Sequence, residues 1–402
     1  MTTEPRFIQI HTLHGYTAAL LNRDDAGLAK RLPFGGVIRT RVSSQCLKRH
    51  WRVTTDKEFA LSTLKVPMAI RSRETLGEIR RLLSEDDRVS PELAQIAVEA
   101  LREGGLLDKA GSKRRGDEAL HTGQAVLLGT AEINYLVERC AALAKEHPDE
   151  DGLRQAIAEW LKTEKKSKNL AALQHGSGLE SALFGRMVTS DVLTSRDASV
   201  YVSHAFTVHE AQVENDYFTV VDDLTSEAGE LGSAGIFDTE LASGLYYGYV
   251  VVDVRQLVAN LEGIKIDNCF AGDTPAERRE LAAKVVRNLL HLIATVSPGA
   301  KKGSTAPFGW ASLMVVEAGD LQPRSAADAF REALAQHDPA APLRSRAAER
   351  LIGELKALDK AYGTKLSRCI MSLDDVTLTG AEAKPLPELA DWVAGLIKQG
   401  HC

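Results

Sequence analysis

Residues 37–52, VIRTRVSSQCLKRHWR, are the stretch on which the reading of this chain turns. The first six alternate, so that Ile38, Thr40 and Val42 fall on one side of a strand and Arg39 and Arg41 on the other. Ser43 or Ser44 then fits the N-cap of a short helix. On that helix Gln45, Lys48, Arg49 and Arg52 recur at i, i+3, i+4 and i+7 and share one face, opposite Cys46, Leu47, His50, Trp51 and Val53. One side packs on a core while the other presents three cations and an amide. Guanidinium and ammonium groups beside free N–H groups at a helix N-terminus suit phosphate oxygens. A basic stripe is most often a solvated surface. Here a strand carrying two arginines feeds the same face, which favours anion binding.

Composition bounds the rest. With 402 residues, 44% hydrophobic and 26% charged, the chain reads as a soluble globular protein of one large or two ordinary domains. Its net charge is −6, yet residues 1–52 hold nine Lys or Arg against three acids, a net of +6. The remainder carries 40 basic and 52 acidic groups, a net of −12. That asymmetry excludes a generally sticky basic surface and fits one groove for a polyanion on an acidic exterior. The five cysteines, Cys46, Cys140, Cys269, Cys369 and Cys402, have no zinc spacing, so reduced thiols and no metal or cofactor are expected. MTTEPRF lacks the apolar core of a signal peptide and no apolar run reaches membrane-spanning length, so a cytoplasmic protein is expected.

Outward from the central stretch, residues 6–13 predict a first strand and 15–36 a long loop with Arg23, Lys30 and Arg31. Asp24 and Asp25 in that loop read either as a metal-binding pair or as turn-forming carboxylates paired with arginines; no further acid cluster accompanies them, which favours the second. Residues 57–174 turn helical, with segments near 74–84, 90–104, 122–147 and 152–164 and a helix start at Ser90-Pro91. Two cationic runs lie there, 109–115 (KAGSKRR) and Lys162, Lys165, Lys166 and Lys168; runs of this size are usually solvated faces. Residues 179–191 predict a strand ending near Gly185, Arg186 and Met187. A projecting hairpin follows, where Tyr217 and Phe218 either stack on bases or anchor the hairpin to the body.

Strands over 244–254, 310–318 and 365–373 are interleaved with helices near 274–296 (Pro275 at N1), 326–337, 343–358 and 389–399. Lys301 and Lys302 sit in the loop after Pro298 and Gly299. Strands alternating with single helices, plus a helical insertion and a hairpin, define an α+β fold. The chain has no GxGxxG, Walker A, GxSxG, HExxH or CxxC motif, and His204 and His209, five apart, read as packed histidines rather than ligands. A non-catalytic protein is expected.

NRDD (22–25), FGG (34–36), RTRVSSQCLKR (39–49), FGRMVTS (184–190), SHAFTVHE (203–210), DYFTVVDDL (216–224), SGLYYGY (243–249) and PGAKK (298–302) occur in one particular order. In that order the chain resembles the CasC-type backbone subunit of type I-E CRISPR Cascade, from the first strand to beyond the PGAKK loop. The resemblance implies an RRM-like (ferredoxin-like) palm over 1–56 and 176–402, a β-hairpin thumb about 207–243 and a helical fingers insertion over 57–175. It implies copies assembled head-to-tail along a CRISPR RNA, each thumb displacing one nucleotide, with other Cascade subunits and target DNA as further partners. Gln45, Lys48, Arg49 and Arg52 would hold the RNA backbone, with Arg23, Lys30, Arg39 and Arg41 near it. Met187 would lie beside the guide, and Tyr217, Phe218 and Thr219 would belong to the thumb. Ser43, Lys301 and Lys302 complete the expected RNA-binding set. Lys162, Lys165, Lys166 and Lys168 are the nearest counterparts of lysines that hold duplex DNA. The alternative is an endoribonuclease backbone subunit of the type III kind, cutting complementary RNA through an Asp in the first long loop; the NRDD context resembles the non-cleaving pattern.

Overall fold

The computed structural model describes residues 3–55, 58–107, 120–123, 125–167, 177–187, 193, 195–221, 233–272, 274–300 and 302–402, with backbone alone for 167, 218–221 and 233–237. Among these residues the strands are β1 (Phe7–Ala19), β2 (Arg31–Phe34), β3 (Val37–Val42), β4 (Ala69–Ser72), β5 (Val126–Gly129), β6 (Val200–Val202), β7 (Ala205–Thr207), β8 (Gln212–Val221), β9 (Ser233–Asp253), β10 (Ala311–Gly319), β11 (Ser367–Ser372) and β12 (Ala381–Ala383). The helices are α1 (Ser44–Val53), α2 (Thr75–Ser84), α3 (Pro91–Glu103), α4 (Thr130–Glu146), α5 (Glu150–Ser167), α6 (Leu179–Phe184), α7 (Val254–Glu262), α8 (Glu280–Thr295), the single turn α9 (Lys302–Thr305), α10 (Leu343–Tyr362) and α11 (Leu386–Gln399). The chain divides into two units, one of Met1–Thr63, Tyr201–Val254 and Ala283–Cys402, the other of Leu64–Val200 and Arg255–Ala282. The fold is mixed α+β.

The first unit is built on a large sheet of order β12-β11-β10-β1-β9-β7-β3-β2, with β6 and β8 also paired to β9. β1 runs antiparallel to both β9 and β10, while β11 and β12 pair in parallel. β10 is buried at every position, and its near-continuous apolar run is what a strand covered on both faces requires. On one face Leu13, Tyr247 and Val315 pack against Phe330 and, from α10, Leu351 and Leu355. The hairpin foreseen from the sequence is formed by β8 and β9, in register from Gln212↔Ser243 to Val220↔Gly235. In the second unit α2, α3, α4 and α5 share a core that includes Ile79, Val98, Leu136, Ile157 and Trp160. Ser90 caps α3 through a bond from the Leu93 N–H (3.3 Å), with Pro91 opening the helix.

Several expectations are corrected. β1 continues to Ala19 through an irregularity between Tyr16 and Ala19 and β2 spans Arg31–Phe34, so both ends of the foreseen loop are strand. Residues 179–184 form α6, not a strand: Gly178 and Gly185, with φ of 80° and 77°, bound one short helical turn, and the Glu180 carboxylate accepts the Ala69 N–H (2.6 Å). Of the helix expected over 326–337, only a 3-10 turn at Ala327–Phe330 forms. The carbonyls of Phe330 and Arg331, which a longer helix would use, instead accept from the Arg39 guanidinium. Residues 126–129 are β5 rather than the start of α4, and a 3-10 turn at Ala276–Arg279 precedes α8. The described residues of 177–200 and of 255–282 belong to the same compact unit as α2, α3, α4 and α5.

Candidate nucleic-acid interface

The N-terminus of α1 is held by three side chains that sequence spacing does not connect. Ser43 is the N-cap, in extended backbone, and its hydroxyl accepts from the Cys46 N–H (3.3 Å). The Ser43 N–H donates to Asn22 Oδ1 (2.9 Å) and the Ser44 N–H to His204 Nδ1 (3.1 Å). Cys46 and Leu47 pack inward on Tyr16, Val42, Ala205 and Tyr246, and Trp51 is buried. On the opposite face Gln45 and Arg49 are exposed and Lys48 and Arg52 half-buried, as the helical spacing requires. Val53, expected on the core side, is 45% exposed.

The loop carrying Arg23 and Lys30 is a tight, internally bonded turn. The Lys30 N–H donates to the Asn22 carbonyl (2.9 Å) and the Arg41 N–H to the Lys30 carbonyl (2.7 Å). Asp24 Oδ1 accepts from the N–H groups of Ala26 and Leu28, each at 3.0 Å, around Gly27 at φ +88°. Buried Glu240 of β9 accepts the Ala29 N–H (2.7 Å) and pairs with Arg31, so Arg31 finds its carboxylate on a distant strand and not at Asp24 or Asp25.

These contacts gather positive charge around α1. Arg41 lies with its Nη1 3.4 Å from His204 Nδ1 and donates through Nε to the Arg31 carbonyl (3.2 Å). Burial and then the nearby Arg41 and Lys30 hold the His204 imidazole below its ordinary pKa. His50, donating from Nδ1 to the Cys46 carbonyl (2.8 Å), is likewise lowered, chiefly by burial and with Lys302 and Arg49 beside it. Burial raises the Cys46 thiol against the opposing influence of Arg49 and Lys30. Lys30, Arg41, Arg49 and Lys302, widely separated in sequence, therefore act on one set of side chains at α1.

Arg39 does not belong to this face. It is fully buried and donates to the carbonyls of Phe34 (3.2 Å), Thr207 (2.9 Å), Phe330 (3.0 Å) and Arg331 (3.2 Å). Burial in β3 does not follow the alternation: Arg39 is covered on the arginine side, Thr40 and Val42 on the other, while Ile38 is 46% exposed. Met187 is 94% exposed and belongs to the second unit, next to Arg186, whose buried guanidinium pairs with Glu132 (2.6 Å). Tyr217 is 64% exposed on β8 opposite Asp238. Phe218 and Thr219 lie opposite Phe237 and Ile236 by backbone register, and their side chains are outside the described residues. Lys162, Lys165 and Lys166 are exposed near the end of α5, in the second unit. Lys168, Lys301 and the run at 109–115 lie outside the described residues. Sequence reasoning missed Asn22 and His204 as parts of the site; the only signal was their place in the NRDD and SHAFTVHE motifs.

The fold and the site define an α+β protein with a cationic face assembled around one short helix. A family model of CT1975-like proteins matches residues 8–394, and the chain belongs to that family. Among solved structures it is similar to a chain of a "CRISPR RNA-guided surveillance complex, pre-nicking", with 27% identity and a TM-score of 0.76 over 97% of this chain and 100% of that one. A chain of a second "CRISPR RNA-guided surveillance complex" shares the fold at 24% identity and a TM-score of 0.64, over 97% and 99% of the two chains. No curated protein matches. The fold is thus that of a CRISPR surveillance-complex subunit.

Proposed function

We propose that this chain is the CRISPR RNA-binding backbone subunit of a type I-E Cascade surveillance complex. Its large sheet serves as an RRM-like palm, the β8–β9 hairpin as the thumb and the helical unit as the fingers. Copies assemble head-to-tail along the guide spacer, so that one cationic face per subunit becomes a continuous track. Sequence is then read by pairing of guide with target DNA, and the protein reads backbone and shape. The observation that carries this reading is the convergence of Lys30, Arg41, Arg49 and Lys302 around α1, from its N-terminus to His50 in its last turn, in a chain of net charge −6. The subunit is a cytoplasmic scaffold and performs no chemistry.

Asp24 supports the scaffold reading over the ribonuclease one. A carboxylate oxygen occupied by two backbone N–H groups closes a turn, whereas phosphodiester hydrolysis needs acids free to hold metal ions. The test is to express the chain with its CRISPR array and partner subunits and to size the co-purified RNA. A single RNA length is expected, left uncut by magnesium. Protein free of RNA would sink the backbone role. Magnesium-dependent cutting of complementary RNA that Asp24→Ala abolishes would favour the nuclease.

A further inference from the structure

The SHAFTVHE motif holds two histidines with opposite fates. His209 is buried; its Nδ1 donates to the Glu210 carbonyl (2.7 Å) and its Nε2 accepts the Leu245 N–H (3.1 Å), so both ring nitrogens serve the fold. His204 is exposed, and the partners it has among the described residues converge on Nδ1. The Ser44 N–H and the Arg41 guanidinium are both donors, and a nitrogen that accepts from them carries no proton. The proton of the neutral ring is therefore on Nε2, the nitrogen remote from those two donors. Arg41 of β3 and Lys30 ahead of β2 are the charged groups beside the ring, and α1 contributes the Ser44 N–H; all three disfavour the imidazolium.

Resting on the RNA-binding reading above, we infer that His204 is a further contact in this interface: a neutral donor with a fixed tautomer, whose Nε2–H bonds a backbone oxygen of bound RNA. The acceptor is a phosphate oxygen or a ribose 2′-hydroxyl, both of which lie where a strand crosses a helix N-terminus lined with cations. Nδ1, by accepting from Ser44, ties the ring's orientation to the start of α1, so the donor is positioned by the helix that carries Lys48 and Arg49. Such a contact adds direction without adding charge. It neutralises no phosphate and displaces no counterion, which separates it from every lysine and arginine in the face.

Two isosteric substitutions separate the two nitrogens. His204→Asn retains an acceptor near the position of Nδ1 and removes the outer donor. His204→Gln restores a donor at the reach of Nε2. Binding of a fluorescent oligouridylate to the purified full chain, measured across a salt series, is expected to weaken about five- to tenfold in His204→Asn. The salt slope should stay unchanged, and His204→Gln should recover much of the loss. Thermal melts of all three proteins check that each is folded. Oligodeoxythymidylate identifies the acceptor: the Asn deficit persists on it if phosphate is bound and vanishes if the 2′-hydroxyl is. Wild-type affinity in His204→Asn, or equal losses in Asn and Gln, would overturn the inference, as would a slope reduced by roughly 0.7, the mark of a lost cation. A Lys48/Arg49/Arg52 triple alanine variant is the companion: if it too binds normally, the interface assignment has failed, and not only the role of His204.

Discussion

Arg39 and Arg49 show how differently two arginines ten positions apart are used. Arg39 satisfies four backbone carbonyls in the interior, so Arg39→Ala leaves buried acceptors without a donor. A loss of about 3 kcal/mol or more is expected in urea unfolding. The salt slope of RNA binding should not change in whatever fraction remains folded. Arg49 is exposed on α1, and Arg49→Ala should alter stability by no more than about 0.5 kcal/mol. It should instead flatten the salt dependence by roughly 0.7 in slope. If the two variants exchanged these behaviours, the placement of the interface on α1 would be wrong.

Among the elements, the β2–β3 hairpin depends on the FGG motif. Gly35 and Gly36 have φ of 64° and 81°, the pair of positive angles that a tight two-residue hairpin turn requires. A Cβ at Gly36 would meet open space, but one at Gly35 would fall 1.4 Å from the Arg331 carbonyl oxygen. Gly36→Ala should therefore cost about 1 kcal/mol of backbone strain. Gly35→Ala should cost distinctly more, because the backbone that carries Arg331 must move; equal melting temperatures would refute this. The β8–β9 hairpin makes the opposite prediction. Removing residues 214–238 behind a short Gly-Ser linker, which spares Glu240 and its hold on Ala29 and Arg31, should leave a folded first unit. Ordered assembly on guide RNA should be lost, and a regular repeat by electron microscopy after the deletion would dismiss the hairpin as a clamp.

Across the first unit, the sheet and α10 are joined by a buried ionic network. Glu317, towards the end of β10, pairs with Arg368 (2.5 Å) and Arg324 (3.2 Å) and lies 3.5 Å from His11. Both arginines also reach Asp359 of α10. Burial pushes the Glu317 carboxyl up, but His11, Arg368 and Arg324 outweigh it and bring it from 4.5 to about 2. A carboxyl with a depressed folded pKa contributes stability above its unfolded value and loses it as pH falls towards the folded one. Stability in urea should therefore drop between pH 4.5 and about 2, with Glu317 accounting for on the order of 3 kcal/mol. Glu317→Gln should be less stable at pH 7 and show a shallower acid limb; an unchanged limb would remove Glu317 from the acid response.

What the sequence determined by itself was the set of local patterns. The helical spacing of Gln45, Lys48, Arg49 and Arg52 gave an outward cationic face because a 3.6-residue period needs no distant partner. The Ser90-Pro91 start, the strand over 310–318 and the hairpin pattern were legible for the same reason, each being a rule about neighbours in the chain. Tertiary structure alone decided that β3 is covered on both sides at Arg39, Thr40 and Val42, since alternation divides residues into two sets without saying whether one or both meet a core. It therefore turned Arg39 from a ligand contact into an internal brace and let its guanidinium end the helix foreseen over 326–337. It also brought Asn22, His204 and Lys302 to α1 from well outside the helix, and gave Glu240 to Arg31. Long-range pairings of this kind depend on how the sheet is ordered, and no local period encodes that order.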